Sequence, residues 1–590
     1  MKTARRQGEA WRLPTWCAKH LFLLLTAFSI GVYLLTMDRS ASWWDCGEFI
    51  ATGWLLQVGH PPGAPVYQLL AHLFMLLSFG DPMLVAPMSN ALSALAGGLT
   101  VGLLYLSLGE LGCRRLPASI GALCFLFCDT AWFSAAESEV YSLAMLFCAM
   151  DVWLALRYRR TGDARLLSLL ALLLGLGTGV HLMTLLAAPA LALIVLPPLT
   201  KHRRWGRILP PAALFFCLGL TPYLIVPLRA AANPPINEGN PSTAEAFAKY
   251  LRREQYAKAP LYPRMWRERD KTNWHDWSYG LDGVAGNAVY YVNYQLGYMY
   301  GRYLMYNFIG RENLKSHRVV VFVLPFLLGL WGLLCHRRRS RWGFWAVMLL
   351  FLFGGPVLNI YLNHPCYEPR ERDYAYVLSF YAFAMWIGVG AERGMQEVER
   401  GRWRAGWLRK AAPFILLLAP LSMAAGNWSD HDRHAAHAVH DIATNHLQSC
   451  DNGALLVTLG DNDTFPLWYL QHVERQRTDI EVRNINLGGY VATLGLIDSS
   501  IGQRPVYFSQ YFVDRFGHLY EGRLRCEGFC WRLLPNGGGV NDAAPLLRHI
   551  ADSIEWHIGE GEYIDPVSER FLATWRQNLK LMGIGDNSGQ

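Results

Sequence analysis

Two carboxylates three residues apart, Asp45 and Glu48, stand in Ser42-Trp43-Trp44-Asp45-Cys46-Gly47-Glu48-Phe49, directly after the first long apolar run. An acid in or beside a membrane is expensive, so its default reading is functional. Such a pair suits the abstraction of a proton from a hydroxyl: Asp45 as the base, Glu48 assisting it or holding the acceptor. On a helical turn both would lie on one face, whereas an extended chain would separate them. Helix capping is the competing use, and it fits Glu48 better than Asp45, which is walled by Trp43 and Trp44.

A transfer reaction that releases a phosphate also needs cations. The planar fork of arginine matches a phosphate well. Arg229, followed by Asn233 in Pro-Leu-Arg-Ala-Ala-Ala-Asn-Pro-Pro-Ile-Asn (227–237), is one candidate. Arg370 and Arg372, in the stretch from His364 to Tyr374, are two more, although Glu368, Glu371 and Asp373 offer them local partners. His364 and Tyr374 belong to the same candidate site. His60 in Gly-His-Pro-Pro-Gly-Ala-Pro (59–65) and His181 are lone histidines on turns, equally suited to structural hydrogen bonds and to substrate contact. Asp461 and Asp463, in Gly-Asp-Asn-Asp-Thr-Phe-Pro (460–466), have the spacing of a metal-holding DxD motif, but turn duty is the commoner use of such residues. No obligatory metal or cofactor is expected, because arginines suffice to neutralise one phosphate.

The elements that must position these groups are largely membrane-embedded. Of the 590 residues 52% are hydrophobic, and the average hides two regimes. Up to residue 426 long apolar runs alternate with short basic loops, whereas 427–590 is polar and mixed. A span needs about 20 apolar residues. Eleven candidates lie near 20–37, 89–111, 117–134, 139–157, 165–180, 182–199, 209–228, 318–335, 342–361, 374–391 and 411–426. Basic residues collect in Arg114-Arg115, Arg157–Arg165, Lys201–Arg207, His336–Arg341 and Arg393–Lys410, all on one side together with the basic N-terminus. The positive-inside rule then places the N-terminus in the cytoplasm and the C-terminal part outside. The net charge of +8 thus reports orientation and not nucleic-acid binding. No small-residue cleavage site follows the first apolar run, which predicts a retained span.

This topology puts the chemistry in the outer loops, 38–88 and 229–317. Residues 49–58 and 66–79 are too short to span and predict interfacial or re-entrant helices. The tyrosines between Tyr290 and Tyr306 fit an aromatic belt or a platform for a sugar face or polyprenyl chain. In 427–590, the runs 454–459, 481–487 and 505–508 read as strands of a small α/β domain. A nucleotide-sugar would be on the wrong side of the membrane for the 460–466 loop. Most of the twelve cysteines lie in apolar runs, while Cys526 and Cys530 could pair in an oxidising compartment.

Taken together, residues 42–49, 59–65, 227–237, Glu-Pro-Arg-Glu-Arg-Asp-Tyr (368–374) and Gly-Asp-Asn-Asp-Thr-Phe-Pro-Leu-Trp-Tyr (460–469) resemble the DUF2723 membrane proteins. That family is related to the animal transmembrane O-mannosyltransferase acting on plexin-type receptor domains. The resemblance implies a GT-C fold with about 11 transmembrane helices in 1–426 and an extracytoplasmic α/β domain in 427–590. It also implies transfer of a mannose-like hexose from a polyprenyl-phosphate donor to a protein Ser or Thr hydroxyl, with the acid of the first outer loop, here Asp45, as base. The expected setting is a bacterial inner membrane with the C-terminal domain in the periplasm. Glu238 departs from the family pattern, standing where an aromatic residue is expected. A lipid-linked sugar flippase and a glycan polymerase or ligase remain alternatives. The flippase predicts inverted repeats and mid-span charges, and no clear repeat is visible.

Overall fold

The computed structural model describes residues 15–201, 205–256, 259–266, 271–311, 319–366, 368, 370–400, 406–536, 554, 556–558 and 565–582. The basic N-terminal residues Arg5, Arg6 and Arg12, and parts of the other basic loops and of the 229–317 loop, lie outside these residues.

The first helix, α1 (Thr15–Thr36), leads into two short helices, α2 (Cys46–Leu55) and α3 (Pro65–Met75). These are the two short helices expected in the first loop, and a turn through Gly59–Gly63 separates them because prolines there cannot continue a helix. Long helices follow at Pro82–Glu110, Val140–Thr161, Ala188–Lys201, Val323–Arg339, Val377–Glu399 and Gly406–His431, with shorter ones between. Among the described residues seven helices are long and apolar enough to cross a membrane, or eight if one bent pair is counted. The protein is therefore an integral membrane protein.

Helices occur at all eleven expected positions, but several are short. The region 117–134 is not one straight span: Arg115–Leu126 and Asp129–Ala135 meet at 65°. The break falls at Phe127-Cys128, just before a charged residue that starts the second helix. The last span runs on to His431, five residues beyond the expected end.

Helices in a bilayer gain no hydrophobic drive from meeting one another, so small residues that let backbones touch are favoured at their contacts. Gly332 and Gly390 show this between Val323–Arg339 and Val377–Glu399. A Cβ on either would collide with a backbone carbonyl of the other helix, that of Trp386 or Leu328.

The C-terminal part contains β1 (Leu455–Thr458), β2 (Glu481–Asn484), β3 (Val506–Ser509), β4 (Leu524–Glu527) and β5 (Cys530–Leu533). They form one sheet in the order β2-β1-β3-β5-β4, with β1 parallel to β2 and β3 and the last two antiparallel. The three strands expected from sequence are the parallel ones. Among the described residues no cysteine is in a disulfide. Cys530 lies 3.9 Å from Cys450 through its sulfur, while Cys526 faces Trp531 in the ladder, so the fold does not bring Cys526 and Cys530 together as a pair.

This domain is seated on the 38–88 loop. The Phe465–His472 helix packs against α2, and Gly47 is needed there because a Cβ would strike the Phe465 carbonyl. The helix Pro566–Leu581 also reaches back. Trp43 Nε1 donates to Asp565 and Ser568 at 3.0 and 2.9 Å, and its ring stacks on Phe571 at 5.0 Å.

Candidate active site

Asp45 occupies the N-cap position of α2, yet its side chain makes no capping hydrogen bond. Its carboxylate therefore stays available. The residue before it, Trp44, sits at φ 61°, a conformation that a bulky side chain adopts only under constraint. That constraint is visible: the Trp44 N–H donates to Asn462 Oδ1 at 2.8 Å, and the Arg370 guanidinium lies over the indole at 4.9 Å.

Glu48, one turn further along α2, is fully buried. Its carboxylate accepts the His60 backbone N–H at 2.5 Å and meets the His60 ring Nδ1 at 2.6 Å. Burial alone would lower the imidazole, but the Glu48 charge and hydrogen bond lift it to about 10. His60 is thus a cation at neutral pH with Nδ1–H as donor. Donor atoms of Asp45, Glu48 and His60 lie within 4.8 Å of one another, a tight cluster in which the protonated His60 ring supplies the positive charge.

Arg370 faces the pair from the opposite side. Its Nη2 stands 4.0 Å from Asp45 Oδ2 and its Nη1 3.6 Å from Glu139. Its Nε donates to the Tyr374 hydroxyl at 3.1 Å, and its guanidinium lies 4.3 Å over the same ring. Burial works against its charge, but the Tyr374, Glu139 and Asp45 groups keep it firmly protonated. Arg372 donates to Tyr374 at 2.7 Å and to Glu368 at 3.0 Å. Tyr374 packs on Tyr141 at 4.3 Å, which in turn meets His181 at 5.6 Å, forming a row of rings behind the arginines.

The tyrosine run fixes this loop in place. Tyr290 and Tyr294 stack at 5.3 Å and donate to the His364 and Cys366 carbonyls. The Tyr303 hydroxyl meets Glu371 and receives the Arg372 N–H. The tyrosines are therefore supports for the arginine loop.

Other sequence candidates are placed with different duties. Arg229 donates to the Leu55 and Leu56 carbonyls, capping the end of α2 opposite Asp45, about 15 Å of helix away. His181 accepts the Met183 N–H at 3.1 Å, and burial holds its ring neutral, with a pKa lowered to about 4. His364 lies 3.4 Å from Glu368 and is lowered by burial. Asn233 meets Asn237 at 3.3 Å. Asp463 accepts the Leu459 and Gly460 N–H groups at 3.1 and 2.7 Å and the Ser509 hydroxyl, so it closes its own loop. Asp461 faces the cluster instead. The surrounding protein and the charges of Asp45 and Glu48 push its carboxyl up to about 7.

Three acids and one cation near the site were not among the sequence candidates. Glu139 is 2% exposed and is raised by burial and by Asp45. Glu238 is 5% exposed and is raised by burial and by Glu48. Glu137 pairs with Arg433 at 2.9 Å, and the same arginine donates to Asp38 at 2.7 Å and Ser42 at 2.8 Å. The available signal was two carboxylates in the short turn before Val140.

The membrane helices and the small C-terminal sheet together define a polytopic membrane protein of the GT-C glycosyltransferase fold. The apo crystal structure of ArnT from Cupriavidus metallidurans superposes with a TM-score of 0.52 at 11% identity, covering 89% of this chain and 100% of that one. More particularly, residues 45–204 match the protein O-mannosyl-transferase TMEM260 N-terminal domain, and residues 439–494 match TMEM260-associated domain 2. The chain is 22% identical over 505 residues to protein O-mannosyl-transferase tmem260 of Dictyostelium discoideum, covering 80% of this chain and 57% of that protein. It is 24% identical over 471 residues to TMEM260 of Mus musculus, covering 77% and 60%. The chain thus spans less than two thirds of the length of these relatives.

Proposed function

We propose that the chain is a glycosyltransferase of a bacterial inner membrane, moving a mannose-like hexose from a polyprenyl-phosphate donor to a protein Ser or Thr hydroxyl on the periplasmic side. The single observation that supports it most is the approach of Asp45, from the first outer loop, to Arg370, from the loop before the Val377–Glu399 helix, at 4.0 Å. In this reading a base and a phosphate-binding cation from segments more than 300 residues apart in sequence meet here. The similarity to the named O-mannosyl-transferases agrees with it.

In this reading Asp45 takes the proton of the acceptor hydroxyl. The acceptor oxygen bonds to the anomeric carbon as the bond from that carbon to the phosphate oxygen breaks, and its electron pair leaves with the lipid phosphate. Arg370 and Arg372 receive that charge with side chains only 14% and 31% exposed, so water screens it less than in bulk. Glu48, already engaged by His60, holds the α2 N-terminus and the acceptor side of the site.

The test is reconstitution of the purified protein in liposomes with labelled polyprenyl-phosphate mannose and periplasmic proteins. Label recovered on Ser or Thr supports the reading. Label recovered only on glycan makes the protein a glycan transferase, and label moved across the bilayer without transfer makes it a flippase.

A further inference from the structure

β2 is an edge strand: β1 pairs with it on one side, and no described strand pairs with it on the other. Glu481 N–H donates to the Ala454 carbonyl at 2.9 Å and Ile485 N–H to the Thr458 carbonyl at 3.0 Å. Backbone direction alternates along a strand, so the N–H and C=O of Val482 point away from β1. Natural proteins usually protect such an edge with proline, a bulge or a covering segment. Here it lines a cavity of about 750 Å³ instead, whose opposite wall is the segment Asn233–Glu238.

The cavity reaches one acid that is electrostatically coupled to the cluster, Glu238. Glu238 lines it, and neither oxygen of its buried carboxyl has a hydrogen-bond partner among the described residues. The charges felt by Glu238 are those of Glu48, His60, Asp461 and Asp45. One wall of the cavity therefore offers unused backbone groups to a peptide, and Glu238, on the facing segment, lies within electrostatic reach of the proposed catalytic base. A buried carboxyl kept protonated has an O–H to donate to a carbonyl or a hydroxyl.

We infer that the acceptor binds as an extended polypeptide segment paired with the free edge of β2 at Val482, with its hydroxyl-bearing residue directed past Glu238 toward Asp45. This rests on the transferase reading and specifies the form of its acceptor. Strand addition draws its affinity from main-chain hydrogen bonds, so it tolerates varied side chains.

The probe is a capped alternating valine–threonine hexapeptide, assayed with the full-length protein and labelled polyprenyl-phosphate mannose, alongside whole periplasmic protein as a second acceptor. The expected result is transfer to the peptide and a loss of roughly tenfold in acceptor kcat/KM, carried by KM, when alternate peptide nitrogens are methylated. Val482→Pro deletes only the outward N–H and spares the ladder to β1. It is expected to raise the peptide KM similarly while leaving the donor KM unchanged. Equal use of methylated and unmethylated peptide overturns the inference. So does transfer to periplasmic proteins without transfer to the peptide, which leaves the transferase reading standing. No transfer to either acceptor removes both.

Discussion

His60 holds Glu48 at two points, through its backbone N–H at 2.5 Å and its ring Nδ1 at 2.6 Å. This divides the labour of the two acids that open the site. Glu48 is buried and paired, whereas Asp45 keeps its carboxylate 23% exposed and uncommitted to capping. The residue free to take a proton is Asp45.

The same pair sets a pH dependence. His60 has an ordinary pKa near 6.5 and is lifted to about 10 in the folded chain. A raised cation stabilises the fold fully below about 6.5 and loses that contribution as pH rises through about 10. The unfolding temperature of the wild type should exceed that of His60→Gln at pH 6, and the gap should narrow steadily toward pH 10. A gap that does not change with pH would show that His60 is not charged.

Glu238 shifts in the opposite sense for charge. Burial and the Glu48 charge hold its carboxyl above the usual range, so the native chain keeps a proton that the unfolded chain loses above about 4.3. Its stabilising contribution is therefore lost as pH rises. Glu238→Gln, which mimics the protonated acid, should unfold within about 1 kcal/mol of wild type near pH 4 and lose less stability than wild type as pH rises above it. Parallel pH profiles for the two proteins would contradict this.

Arg433 ties the start of the 38–88 loop to the turn before Val140 through Asp38, Ser42 and Glu137. Replacing it with Met strands two buried carboxylates. A loss of about 3–5 kcal/mol is expected, because removing one member of a buried ion pair leaves an uncompensated charge. Chemical denaturation in detergent measures it, and an unchanged midpoint would place the loop's anchorage elsewhere.

The membrane helices, the two short helices of the first loop and the three parallel strands were legible because each is written in local periodicity. The β4–β5 hairpin was not, since Arg525, Arg532 and the half-exposed positions between them give no clean alternation. At the site, Asp45, His60, Arg370 and Tyr374 were recognisable as unusual polar residues at loop positions. The duty of Arg229 was not, because a guanidinium reads the same in sequence whether it meets a phosphate or a helix C-terminus. Glu139 and Asn462 were equally hidden: one lies in a four-residue turn, the other in a loop more than 400 positions from the tryptophan it fixes.

The most direct test of the account is the transfer rate of Asp45→Asn in the reconstituted system, with protein level and unfolding temperature measured alongside. Asparagine keeps the size of the side chain and removes the base. The account expects normal folding, an unchanged donor KM and a fall in kcat of roughly 10²–10⁴. Wild-type kcat in a folded Asp45→Asn protein would contradict it.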